Sequence, residues 1–187
     1  EAYYRAPVSY AYYDAAAPNS FHWMLHEATH QLNSEVAHLK KSKWIDEGIA
    51  SYFGASKVVD FVLTPGQIEA RAYPVWWLPK LGLSGDAKQD FADSKLVPLR
   101  ALITDQGGPD ISQHVNAWYI GYWSLTHFLL HADDGRYAQG YRKLIAEGGT
   151  LENFERLIGP VEAVEGPWYR SLRKLSGADP DQVIVVG

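Results

Sequence analysis

Cysteine is absent from this sequence of 187 residues, and its absence excludes several kinds of chemistry. A chain without thiols has no disulfides, no thiolate nucleophile and no zinc site ligated by cysteine. Any metal must therefore be bound by His, Asp, Glu or Tyr side chains. The lack of cysteine is compatible with an oxidising compartment but is also common in cytosolic proteins. We expect an extracytoplasmic or secreted protein.

Long apolar segments and extended basic runs are also missing. No stretch approaches the roughly 18 apolar residues that a membrane-spanning helix needs, so we expect no membrane span in this chain. The 17 Lys and Arg residues are outnumbered by 22 Asp and Glu residues, which gives a formal net charge of −5 and argues against a nucleic-acid partner. No intact signal peptide begins at Glu1, and the missing initiator Met suggests a processed or excised chain. The sequence leaves the oligomeric state open.

The residues that are present have the composition of a folded, water-soluble domain. Apolar residues make up 47% and charged residues 21% of the chain. A chain of this length is expected to form one domain and to bury about two thirds of its unfolded surface. Such a domain can hold an active-site cleft without crosslinks.

The N-terminal region predicts a hairpin followed by two helices. Aromatic and β-favouring residues over 3–13 indicate a short hairpin or edge strands. A first helix is predicted over residues 20–33, with Asn19 or Ser20 as its cap. Apolar residues recur along it at helical spacing, namely Phe21, Leu25 and Leu32. A second helix is predicted over residues 44–53.

The remainder of the chain divides into a proline- and glycine-rich segment and a helical one. Frequent Pro and Gly residues favour short strands, turns and loops, so we expect an irregular connector over residues 57–110. A helix from about residue 112 to 133 follows, with apolar residues three and four positions apart. Three further helices are predicted, over residues 136–147, 150–158 and 162–175.

The first helix carries a metal-binding pattern, because residues 26–30 read His-Glu-Ala-Thr-His and match His-Glu-x-x-His. Four residues are close to one helical turn, so the imidazoles of His26 and His30 project from one face and can reach one zinc ion. Glu27 lies beside them, where it can take a proton from a metal-activated water molecule and later give it to a departing amine. The pattern predicts hydrolysis of an amide bond and requires a third ligand.

The residues that follow His30 exclude one class of zinc peptidase. A metzincin needs Gly at position 33 and His at position 36, and the chain has Asn33 and Val36 there. His38 lies two residues beyond the position at which the pattern requires a histidine. We therefore interpret His38 as a surface histidine.

The second helix resembles the third-ligand helix of gluzincin metallopeptidases, in which a glutamate precedes Gly, an apolar residue and Ala. Residues 44–53 read Trp-Ile-Asp-Glu-Gly-Ile-Ala-Ser-Tyr-Phe. The resemblance implies that Glu47 is the third zinc ligand. Asp46 is the rival carboxylate, but neighbouring residues on a helix point about 100° apart, so only one of them faces the metal. Small residues at Gly48 and Ala50 would let the two helices approach closely.

A metal-bound histidine usually has a hydrogen-bond partner behind it. In thermolysin-like gluzincins this partner is a carboxylate one turn beyond the third ligand, and this chain has Ser51 at that position. Asn33, Asp46 and backbone carbonyls are the other candidates. The sequence does not rank them.

Together these motifs resemble peptidase MA-like gluzincins, in particular a poorly characterised bacterial group of domains of unknown function. Members of the group often have a Tyr-rich strand before the zinc helix and a later helix of the type Tyr-x-x-x-Trp-x-Leu-x-His-Phe-Leu. The matching residues here are Tyr119, Trp123, Leu125, His127, Phe128 and Leu129. The resemblance covers about residues 3–130, and it implies one zinc ion per chain and a peptide or protein substrate.

Related enzymes use a tyrosine or histidine outside the zinc motifs to donate a hydrogen bond to the oxyanion of the attacked carbonyl. Tyr119 is the first candidate for this role. Tyr122, His127 and His114 are the alternatives. An edge strand near residues 9–13 could align an extended substrate beside the metal.

These observations predict one helix-rich α+β domain with a zincin-like fold over residues 1–187. Residues 1–56 would form a small sheet and the two zinc-site helices, and residues 57–110 the irregular connector. Residues 111–187 would form a C-terminal helical subdomain that closes the cleft.

The predicted activity is zinc-dependent hydrolysis of peptide bonds, with His26, His30 and Glu47 as ligands and Glu27 as general base. One alternative is a noncatalytic zinc-containing module that binds protein or cell-wall material. Another is a metal-dependent amidase that acts on a nonpeptide amide, because the same chemistry attacks either carbonyl.

Overall fold

The structure is a computed structural model that describes residues 2–11 and 20–177, and its architecture is α+β and rich in helices. The strands are Ala2–Arg5 (β1), Val8–Ala11 (β2), Ser56–Val59 (β3) and Val62–Ile68 (β4). The α-helices are Ser20–Glu35 (α1), Lys43–Gly54 (α2), Ala87–Ala92 (α3), Leu99–Thr104 (α4), Val115–His131 (α5), Ala138–Glu147 (α6), Leu151–Leu157 (α7) and Val161–Leu175 (α8). Two short 3-10 helices span Val75–Lys80 and Ala132–Gly135.

The hairpin and the long helices agree with the sequence prediction. β1 and β2 pair antiparallel, and β3 and β4 form a second antiparallel pair. The proposed cap at Asn19, and Tyr12 and Tyr13 of the predicted edge strand, lie outside the described residues.

Residues 57–110, expected to form short strands, turns and loops in an irregular connector, contain β4 and most of β3, and also a 3-10 helix and the short helices α3 and α4. Proline and glycine limit the length of these elements but do not prevent them from packing. Leu96, Leu99 and Leu102 from this region are almost completely buried. The segment therefore contributes to the main hydrophobic core.

Helix α5 lies at the centre of this core, because apolar residues surround it on nearly every side. It packs against α2, α6 and α8. Two of its buried hydroxyls have partners: the Tyr141 hydroxyl lies 2.9 Å from Thr126 Oγ1, and the Trp168 indole N–H donates to Ser124 Oγ over 3.0 Å. These bonds satisfy groups that burial would otherwise leave unpaired.

The N-terminal hairpin packs on α1 and so supports the helix with the His-Glu-x-x-His pattern. Ser9 Oγ donates to Gln31 Oε1 over 2.9 Å, and Gln31 Nε2 donates to the Pro7 carbonyl over 2.8 Å. The Tyr4 hydroxyl donates to Glu35 Oε1 over 2.6 Å. These bonds connect both strands to the second half of α1.

The close approach predicted at Gly48 occurs, but the neighbouring helix is α5 and not α1. A β-carbon at Gly48 would meet Thr126 Oγ1 and would lie 2.9 Å from the Tyr122 carbonyl oxygen. Because Glu47 faces α1, its neighbour is turned by about 100° towards α5. The close approach to α1 is at Gly54, where a β-carbon would lie 2.9 Å from the His22 ring.

Replacing Gly48 with Ala is expected to lower the free energy of unfolding by about 1–3 kcal/mol, because the added methyl group overpacks the contact between α2 and α5. Urea denaturation measures this loss. Adding Thr126→Ala to the Gly48→Ala variant removes the nearest side-chain atom and should restore part of the lost stability. A double-mutant cycle measures this recovery. Unchanged stability of Gly48→Ala would contradict the packing described here.

Candidate metal centre

His26 and His30 project from the same face of α1, as their spacing predicts. Their Nε2 atoms lie 3.1 Å apart. His26 is buried and His30 is half-buried, so water does not surround either ring. The two imidazoles can therefore direct lone pairs to a common point.

Glu47 reaches the same point from α2. Its Oε2 atom lies 3.5 Å from His26 Nε2 and 3.6 Å from His30 Nε2. Its side chain is half-buried, and the buried Oε2 atom has no hydrogen-bond partner among the described residues. A buried carboxylate oxygen without a donor is costly, and a cation at this point would remove the cost.

The separations of the three donor atoms fit a zinc ion. Metal–ligand bonds of about 2.0–2.1 Å in tetrahedral geometry place ligand atoms about 3.3 Å apart. The observed separations of 3.1, 3.5 and 3.6 Å lie close to this value. Within residues 2–11 and 20–177, no other group of three His, Asp or Glu residues converges in this way.

The electrostatics of the three groups favour positive charge beside the Glu47 carboxylate. Burial acts to raise the pKa of Glu47, but the adjacent imidazoles outweigh it and lower that pKa to about 2. Burial acts to lower the pKa of His30, whereas the hydrogen bond to Asp46 and the nearby Glu47 raise it to about 10. The ionised Glu47 therefore attracts positive charge, which a proton or a metal ion can supply.

Asp46 is the partner behind His30 that the sequence alone could not select. Its Oδ2 atom lies 3.0 Å from His30 Nδ1, and Asn33 Nδ2 donates to its Oδ1 over 2.8 Å. Ser51 does not take this role, because it is fully buried and its Oγ has no partner among the described residues. Asp46 and Glu47 thus contact opposite nitrogens of one imidazole.

Replacing Asp46 with Asn is expected to weaken metal binding about 10–100-fold, because it removes the charge that orients His30 and increases its basicity. Isothermal titration with zinc measures the change. Asp93→Asn, an exposed aspartate on a different part of the fold, is the matched control. Equal affinities in the two variants would argue against this role for Asp46.

Glu27 does not join the three donor atoms. Its side chain is half-buried and lines a cleft of about 700 Å³ that also includes His30 and Asp46. A carboxylate that faces a cleft beside a metal site can exchange protons with a molecule bound there. The general-base role of Glu27 stays a prediction.

Two tyrosines, Tyr73 and Tyr119, lie near the donor atoms. The Tyr119 ring lies 6.4 Å from the His26 ring and 5.7 Å from the ring of Tyr73. Burial first, and then the negative charge of Glu47, raise the pKa of both hydroxyls, that of Tyr73 to about 12. Both hydroxyls therefore stay protonated and available as hydrogen-bond donors.

Sequence reasoning missed Tyr73, which lies in the segment expected to be irregular. It stacks on Trp23 of α1 at 5.4 Å. It also missed His22, which is buried one turn before His26 and packs against Gly54. The four-residue spacing from His26 was the available signal for His22, whereas no sequence pattern pointed to Tyr73.

The other candidates from the sequence do not join the three donor atoms. His38 is exposed, and its Nδ1 lies 3.0 Å from the Ser34 carbonyl oxygen, which confirms its interpretation as a surface histidine. His127 packs against His131, at 4.8 Å between ring centroids, and faces the second hairpin at Gly66. The Tyr122 hydroxyl is buried without a partner among the described residues.

The buried His127 predicts a pH dependence of stability. Burial first, and then the adjacent His131, lower its pKa from 6.5 to about 4. Between these pH values the unfolded chain binds the proton more tightly than the folded chain does. The protein therefore loses stability as the pH falls, and the loss caused by His127 amounts to about 3 kcal/mol. His127→Gln should lose correspondingly less stability than the wild type between pH 7 and pH 4 in urea titrations. Parallel pH profiles would contradict this expectation.

No protein-family model, curated protein or solved structure matches this chain. No helix in the described ranges, 2–11 and 20–177, has the length and apolarity needed to cross a bilayer.

Proposed function

We propose that this chain is a zinc metallopeptidase domain of the gluzincin type, peptidase MA-like, with a zincin fold. His26, His30 and Glu47 would hold one zinc ion per chain. The observation that carries the proposal is the convergence of their three donor atoms within 3.1–3.6 Å of one another, beside a cleft lined by Glu27. The substrate would be a peptide or protein, and the location extracytoplasmic.

A bound zinc ion would polarise a substrate carbonyl and make a nearby water molecule more acidic. Glu27 then acts at the cleft, where its carboxylate accepts a proton from the water and delivers it to the nitrogen of the leaving amine. A carboxylate can accept the proton and later donate it, because donation returns the group to its ionised form. Asp46 holds the His30 ring in one orientation throughout.

Tyr119 would donate a hydrogen bond to the oxygen of the attacked carbonyl as negative charge develops there. Its ring lies beside His26, and its hydroxyl stays protonated because burial and Glu47 raise its pKa. A donor already in position stabilises the developing charge without reorganisation. Tyr73, which packs against Tyr119, supports the orientation of this ring.

The experiment that tests the proposal is cleavage of a denatured protein mixture by purified protein. We expect new peptide termini with wild-type protein, their loss after chelation, and their return when zinc is added. Metal binding without cleavage of any peptide would favour a noncatalytic binding module. Hydrolysis of nonpeptide amides alone would identify an amidase.

A further inference from the structure

The cleft beside Glu27 has a chemical character of its own. It lies between the N-terminal hairpin, the second half of α1 and the loop that joins α1 to α2, and its volume is about 700 Å³. Glu27, His30 and Asp46 line it on the side of the metal centre, and Tyr4 lines it from the hairpin. A cleft of this size accommodates a substrate side chain or terminus next to the reacting bond.

Positive charge is concentrated in the loop that lines this cleft. Lys40, Lys41 and Lys43 all border it within four consecutive residues. The chain as a whole carries a net charge of −5, so this rim differs in sign from the rest of the molecule. Charges of one sign that line a cleft attract ligands of the opposite sign.

Two of the three lysines have partners that hold them in the structure. Lys40 Nζ donates to the Glu147 carbonyl over 3.1 Å, and Lys43 Nζ lies 3.3 Å from Asp105 Oδ1. Lys41 is exposed and has no hydrogen bond or ion pair with any residue that the structure describes. Its ammonium group is therefore available to a ligand.

The acidic residues of the cleft do not neutralise Lys41. Asp46 is already hydrogen-bonded to His30 and Asn33 at the metal centre. Glu27 lines the same cleft but makes no ion pair with any of the three lysines. The loop therefore presents a cation with no partner among the described residues, in the same cleft as Glu27 and the metal centre.

We infer that this cleft binds a carboxylate of the substrate and that Lys41 is a specificity-determining residue for it. The inference rests on the proposed function, because it assigns the cleft to the same substrate. Lys41 forms the ion pair, and Lys40 and Lys43 add to the positive potential around it. The carboxylate belongs either to an acidic side chain or to a peptide C-terminus, and both present the same group.

Binding is measured first in the Glu27→Gln protein, so that cleavage does not deplete the ligand. The probes are labelled peptides of one sequence: one with an internal Glu and an amidated C-terminus, one with Gln in its place, and one with Gln and a free C-terminus. Fluorescence anisotropy gives the three dissociation constants at low and high salt. Lys41→Glu is the test variant, and Lys88→Glu, an exposed lysine outside the cleft, is its matched control.

We expect at least one carboxylate peptide to bind about tenfold more tightly than the neutral peptide at low salt, with the preference reduced at high salt. The tighter of the two identifies the source of the carboxylate. Lys41→Glu should abolish the preference, and Lys88→Glu should retain it. Equal binding of all three peptides, or equal effects of the two variants, would overturn the inference.

Cleavage by the wild type separates this inference from the proposed function. If kcat/KM is higher for the carboxylate peptides and this preference disappears in Lys41→Glu, the result supports both the cleft assignment and the peptidase activity. Carboxylate-selective binding without cleavage of any peptide retains the cleft assignment and rejects the peptidase. Cleavage that is indifferent to the carboxylate and to Lys41 retains the peptidase and rejects the cleft assignment.

Discussion

Replacing Glu27 with Gln is expected to lower kcat/KM for peptide hydrolysis by about 10²–10⁴-fold, the usual contribution of a general acid–base group. The amide keeps the size of the side chain but cannot accept the proton from water. Zinc content should stay at one ion per chain, because Glu27 is separate from the three donor atoms. Initial rates on a fluorogenic peptide, measured together with metal analysis, test both statements.

The matched control for this change is Glu152→Gln, which alters an exposed glutamate on α7. It changes the net charge by the same amount and should leave both the rate and the zinc content unchanged. A fully active Glu27→Gln protein would eliminate the proposed mechanism. Loss of zinc together with activity would instead indicate that Glu27 helps to hold the metal.

Replacing a proposed metal ligand should lower the affinity for zinc, whereas replacing Glu27 should lower activity and leave the zinc content unchanged. His26→Ala and Glu47→Ala should each weaken zinc binding by more than the 10–100-fold expected of a residue behind a ligand. Each change leaves only two of the three converging donors. Zinc should therefore raise the melting temperature of the wild type and leave those of the variants almost unchanged, because stabilisation by a ligand grows with the ratio of its concentration to its dissociation constant.

His38→Ala is the control for these ligand variants, because His38 is exposed and outside the triad. Its melting temperature should rise with zinc as in the wild type. An undiminished zinc effect in Glu47→Ala would show that the carboxylate on α2 is not a ligand. Loss of the effect in His38→Ala would point to a different metal site.

Short-range features of the site could be predicted from the sequence because a single helix determines them. The four-residue spacing of His26 and His30 places both rings on one face of α1 in any fold that keeps the helix. Glu47 depended on the resemblance to gluzincins, since its approach to α1 requires a particular packing of α2. The structure brings all three donor atoms together.

Features that depend on how helices rotate against each other could not be predicted in the same way. From the sequence, Asp46 was one of several candidate partners for His30, because the contact depends on how α2 is rotated about its own axis. The same orientation places Gly48 against α5 and not against α1. Tyr73 was missed because its segment has no regular periodicity and reaches the site only through the tertiary fold.

X-ray absorption at the zinc edge, on wild-type protein and on His30→Ala after addition of one zinc per chain, tests whether the triad binds zinc. We expect the wild type to bind one ion through two imidazole nitrogens at about 2.0–2.1 Å and an oxygen ligand. His30→Ala should show one imidazole fewer or no bound ion. Failure of the wild type to bind zinc, or identical coordination in the two proteins, would contradict a metal site at His26, His30 and Glu47.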